Sequence, residues 1–79
     1  MERSEILNEI QNILRDVLED DGIIASEELC AKDVHGWDSL SHVNIIEAIE
    51  QRFNVKFTIG EIVVLNNIAG LIDLIQSKM

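Results

Sequence analysis

Apolar residues recur at spacings of three and four along most of this 79-residue chain, and no proline interrupts them. That period gathers them on one face of an α-helix, whereas a half-buried strand would alternate every second residue. Ile6, Ile10, Ile13, Leu14, Val17 and Leu18 make the first stripe and predict a helix over 3–18, with Glu2, Glu5, Glu9 and Asp16 on its other face. Asp20-Asp21-Gly22 closes it, Gly22 being suited to a left-handed position past the helix end. A second helix is predicted from Ser39 to Arg52, with Asp38 as its cap, Val43, Ile46, Ile49 and Phe53 inward, and Asn54 as its stop. Thr58 and Glu61 have the spacing of a capping box and predict a short third helix over 59–64, weakened from inside by Gly60. A fourth covers 67–77, with Asn66 or Asn67 as cap and Ile68, Leu71, Ile72 and Ile75 inward.

Residues 19–37 form one long connection. Ile23, Ile24, Leu29 and Val34 are expected to pin it across a bundle end, and Ser26-Glu27-Glu28 to start a short helical turn. The expected fold is all-α: a four-helix bundle with a long loop between helices 1 and 2 and a short third helix. A chain of this length supports one modest core, so a single domain over 1–79 and a monomer are expected.

Charge narrows the partners. Acidic residues outnumber basic ones 15 to 6, a net charge of −9, which argues against nucleic acid and for protein partners bearing Lys and Arg patches. The imbalance lies in residues 1–38, with 11 acidic and 3 basic; residues 39–79 hold 4 and 3. Cys30 is the only cysteine, so no intramolecular disulfide forms, and it reads as a small loop-packing residue. The apolar runs are too short to span a membrane. Met1-Glu2-Arg3-Ser4 runs into the amphipathic pattern without a secretory signal, so a cytoplasmic location is expected.

The chemistry concentrates in Gly36-Trp37-Asp38-Ser39-Leu40, where the long loop meets the second helix. Unpaired N–H groups and the positive end of the helix dipole favour an anion at such a point, so a phosphate ester on Ser39 is electrostatically welcome. Asp38 is expected to cap the helix, Leu40 to anchor its first turn in the core, and Gly36 to allow a tight approach of the backbone. Asp38-Ser39-Leu40 resembles the Asp-Ser-Leu attachment motif of acyl carrier proteins. The similarity extends over nearly the whole chain: a leading helix, a long acidic loop, Phe53 near the second helix's end, a short third helix and an Ile-rich last one.

The resemblance implies a carrier without catalysis of its own. A phosphopantetheinyl transferase would move a 4′-phosphopantetheine arm from coenzyme A to Ser39, and acyl chains would ride the arm's thiol as thioesters. It also implies that Val43, Ile46, Ile62, Leu65, Leu71 and Ile72, first of all a core, part to shelter the chain. Acyl-loading and acyl-accepting enzymes with basic patches would then read Asp38, Leu40, Glu47, Glu50 and Glu61. The sequence departs from the fatty-acid carriers on the second helix, whose outer positions include Ser41, His42, Asn44, Gln51 and Arg52 and only two acids after Ser39. The implied role is acyl carriage in fatty acid or specialised polyketide or lipid biosynthesis, the departure favouring the specialised pathways, with an aminoacyl or peptidyl carrier as alternative.

Other readings of these residues are weaker. Ser39 as an ordinary helix-start serine would make the chain a non-carrier helical interaction domain. A Ser/His hydrolase built on His35 or His42 lacks the glycine pattern of a nucleophile elbow. His42 reads as a half-exposed surface histidine and Trp37 as simple packing, since His42 is a poor hydrophobic-staple partner for it. No cluster has metal-ligand spacing.

Overall fold

The four stripes fold as four helices in a computed structural model that describes residues 1–79: α1 (Arg3–Val17), α2 (Ser39–Phe53), α3 (Ile59–Val64) and α4 (Ile68–Lys78). Capping decides where they begin. Thr58 and Glu61 form the anticipated capping box, and the Asn67 side chain accepts from the Gly70 N–H at 2.6 Å to start α4. α1 packs against α2 and α4, and the buried apolar residues of these helices, with Ile23, Val55 and Phe57, form one cluster of 13. No helix is long and apolar enough to cross a membrane.

α1 ends differently from the sequence expectation. Glu19, not Gly22, takes the left-handed position (φ 51°), and the Asp20 N–H closes back on the Arg15 carbonyl at 3.0 Å. Glu19 is exposed, and the left-handed conformation of a non-glycine residue carries only a modest local cost. Asn54 plays the same part at the end of α2 (φ 56°), as anticipated.

The register of α2 also differs. Ile45, Ile46 and Ile49 are buried and Phe53 packs on the core, while Val43 is 57% exposed. At about 100° per residue, His42, Ile45, Ile46, Ile49 and Phe53 share one face, and Val43 lies about 110° from its centre. The polar His42 sits within that stripe and hides it from an apolar count. Leu40, expected in the core, is 77% exposed for the same reason.

The long loop is pinned by three of the four expected apolar side chains and, in addition, by hydrogen bonds. Ile23 is buried and Leu29 and Val34 pack on the core, but Ile24 is 77% exposed. Arg15 holds the Ile23 carbonyl (2.8 Å) and Gln11 the Ala25 N–H (2.9 Å). Farther on, the Ala31 N–H reaches the Asn66 carbonyl, and the Ile68 and Ala69 N–H groups reach Leu29 and Glu27. The loop is thereby stitched to the junction of α3 and α4. Residues 26–29 make a tight turn, and the short helical turn falls later, at Ala31–Asp33. Arg3 ties α1 to the loop and to α4 through Glu27 (2.6 Å) and Asp73, so its guanidinium is held above its ordinary range by the hydrogen bond to Glu27 and then by that to Asp73.

Candidate functional site

α2 begins where it does because Asp38 satisfies its first donors. One carboxylate oxygen accepts from the Leu40 N–H (3.1 Å) and the Ser41 N–H (3.0 Å). The Ser41 hydroxyl returns the favour, accepting from the Asp38 N–H (2.8 Å) and donating to the Gly36 carbonyl (2.6 Å). Gly36 turns the chain into this cap with φ +89°, a conformation that a Cβ resists. The Ser41 N–H and then its hydroxyl hold the Asp38 carboxyl below its usual range.

Two neighbouring serines thus have opposite fates. The Ser41 hydroxyl is locked in the cap. Ser39, the first residue of the helix, is exposed, and its hydroxyl makes no hydrogen bond within the chain. The helix end is also less of an anion cradle than its sequence implies. Asp38 takes two of the N–H groups and adds a negative charge, which leaves the dipole and the Ser39 N–H. A phosphate ester on Ser39 is therefore free to face solvent and an approaching protein.

Beside Ser39 runs an open hollow of about 510 Å³, lined by Ala31, Trp37, Asp38, His42, Val43 and Ile62, with Val63 and Leu65. A second hollow of about 490 Å³ adjoins it along the α2–α3 seam, lined by Val43, Ile46, Glu47, Glu50, Lys56 and Ile62 among others. Val43 and Ile62 border both. Ser39 thus presents an exposed hydroxyl with no bond inside the chain, beside a hollow walled mostly by apolar residues.

The other anticipated site residues divide into groups. Ile46, Leu71 and Ile72 are at most 2% exposed and belong to the core; Ile62 and Leu65 are half-buried against it. Among the acids, Glu47 is exposed. Glu50 instead accepts from the Phe57 N–H (2.8 Å), fixing the chain after α2. Glu61 accepts from the Thr58 N–H (2.8 Å) and pairs with Lys78 (3.1 Å); the Thr58 N–H first, then Lys78, holds its carboxyl below the usual range. Arg52, the only Lys or Arg of α2, is paired with Glu9.

Two features escaped the sequence reading. Ser41 lies three residues after Asp38, the capping-box spacing that would have revealed its role. His42 is not a bland surface histidine. The Trp37 indole donates to its Nδ1 (3.0 Å), the two rings stack, and its Nε2 meets the Ile62 carbonyl at 3.0 Å.

Comparison with known proteins agrees with this geometry. A family model described as "Phosphopantetheine attachment site" matches residues 8–75. The acyl carrier protein of Coprothermobacter proteolyticus is 30% identical over 81 residues, covering 100% of this chain and 96% of the relative. The solution structure of holo acyl carrier protein from Geobacter metallireducens is similar with a TM-score of 0.83 and 40% identity, over 91% of this chain and 83% of that one. The crystal structure of acyl carrier protein from Thermotoga maritima shares the fold at a TM-score of 0.86 and 24% identity, over 99% of this chain and 91% of the other. With its helical bundle and its attachment-site match over most of its length, the chain belongs to the acyl carrier protein family, in which a carrier rather than an enzyme bears covalently attached 4′-phosphopantetheine.

Proposed function

We propose that Ser39 takes the phosphopantetheine arm, and that residues 1–79 act as one carrier domain for acyl intermediates of a specialised polyketide or lipid pathway. The observation that carries the first part is the contrast within one helical turn: Ser39 offers a free hydroxyl to solvent while Ser41 is locked into the cap. The arm supplies a terminal thiol that holds acyl groups as thioesters. The chain's own residues do the rest. Gly36 and Asp38 fix the turn that presents Ser39, and Trp37, Val43 and Ile62 line the adjoining hollow.

The pathway reading rests on the exposed side of α2. Its 15 residues carry Glu47, Glu50 and Arg52 as their only full charges, and Glu50 already serves a backbone N–H. Exposed Leu40 and Val43 stand there instead. Partners that select a densely acidic helix would recognise this one weakly. Incubation of the unmodified chain with coenzyme A and a broad-specificity phosphopantetheinyl transferase should raise the intact mass by one arm. Ser39→Ala should gain none. A wild-type chain that stays unmodified, or a modified Ser39→Ala, would refute the proposal.

A further inference from the structure

The Trp37–His42–Ile62 contact has a chemistry that fixes its protonation. An indole N–H is a donor only, so the Nδ1 that faces it at 3.0 Å must be an acceptor. A neutral imidazole then carries its proton on Nε2, which donates to the Ile62 carbonyl at 3.0 Å. The ring therefore joins two segments: the loop that bears Trp37 and the third helix. This matters because α3 has no fully buried residue of its own. Its ties to the rest of the chain are the half-buried Ile62 against the core, the Glu61–Lys78 pair and the His42 bond to the Ile62 carbonyl.

We propose that His42 is a positioning residue: as the neutral Nε2–H form it latches α3 to Trp37 across the hollow beside Ser39, and on taking up a proton it releases Trp37. A proton from solvent would occupy Nδ1 and set two N–H donors against each other, whereas the bond from Nε2 to Ile62 would persist. Few charges face the ring. Asp38 is the other titratable group lining the hollow, and its carboxylate is committed to the cap of α2. Glu61, next to Ile62 on α3, is paired with Lys78, and Lys32, Asp33 and His35 on the preceding loop are exposed. The functional consequence alone rests on Ser39 bearing the arm: the latch sets the wall along which the arm runs.

Trp37 is the only tryptophan, so its fluorescence and its indole N–H signal report the latch directly. The test uses the full, unmodified chain, with ring-nitrogen NMR of His42 and both Trp37 signals followed from neutral to acidic pH. The expected result is the Nε2–H tautomer at neutral pH and Trp37 signals that titrate with the same midpoint as the His42 ring. In His42→Gln the amide oxygen can accept from Trp37 and the amide N–H can donate to Ile62. The neutral-pH signals should survive there and the titration vanish. In His42→Ala, exchange of the indole N–H should rise roughly fivefold, the factor expected for one ordinary hydrogen bond. The wild-type titration decides the matter even if that variant folds poorly. An Nδ1–H tautomer, Trp37 signals that ignore the His42 titration, or a titration that persists in His42→Gln would overturn the latch. Failure of the wild-type chain to accept the arm would overturn the Ser39 reading and leave these spectra untouched.

Discussion

Two truncations only two positions apart on α2 should differ several-fold in cost. Ile45 is 0% exposed, and Ile45→Ala removes three carbons from the core. Transfer alone amounts to about 0.8 kcal/mol per carbon, and the residual cavity brings the loss to about 3 kcal/mol, within the usual range for such changes. Val43 is 57% exposed, so Val43→Ala removes two carbons of which less than half the surface was hidden. That loss is about 0.7 kcal/mol, and the better helix propensity of alanine offsets most of it. For a chain of this size, total stability is on the order of 4–12 kcal/mol. Ile45→Ala should therefore lower Tm by roughly 10–25 °C. Val43→Ala should leave Tm within a few degrees of wild type. Thermal unfolding followed by far-UV circular dichroism measures both. Equal losses, or a larger loss for Val43→Ala, would refute the register of α2 and with it the placement of His42 on the inward face.

Other consequences are as specific. The Arg3 hydrogen bond depresses the Glu27 pKa, so its stabilisation is complete above the unfolded-state value and disappears as pH falls through the lower folded-state value. Acid unfolding below about pH 4.3 should accordingly be less steep in Glu27→Gln than in wild type, and an unchanged acid limb would contradict the pairing. Gly60→Ala meets no neighbouring atom and has an ordinary helical backbone, so it should stabilise the chain by roughly 0.5–1 kcal/mol and slow amide exchange in α3. Gly70→Ala should gain nothing, because its Cβ would sit 3.0 Å from the Asn67 oxygen that caps α4; both are read by urea unfolding.

The parts of the fold set by local chemistry were legible in the sequence. The Thr58–Glu61 capping box, an asparagine cap at 66 or 67 and the left-handed stop at Asn54 are local signals, and α3 and α4 lie where they put them, the structure choosing Asn67. The burial of Ile68, Leu71, Ile72 and Ile75 follows from an uninterrupted apolar period. What escaped depended on distance in the chain. Whether Val43 or Ile45 faces inward depends on α1 across the bundle, and the polar His42 masks the stripe because its bonding partner, Ile62, is twenty residues away. Gly22 looked like the helix stop by residue type, yet the hydrogen bond from Asp20 to Arg15 places the left-handed turn at Glu19. At the site, the position of Ser39 followed from Asp38 as cap. That Asp38 would consume the donors expected to welcome a phosphate required the geometry of both bonds.

Arm attachment distinguishes one serine from its neighbour. The chain holds serines at 4, 26, 39, 41 and 77, and only Ser39 combines exposure with a place at the start of α2 beside the hollow. Fragmentation mass spectrometry of the chain after arm transfer locates the added group directly. A single arm is expected, found only on fragments containing Ser39. An arm on Ser41, or one distributed over several serines, would contradict it.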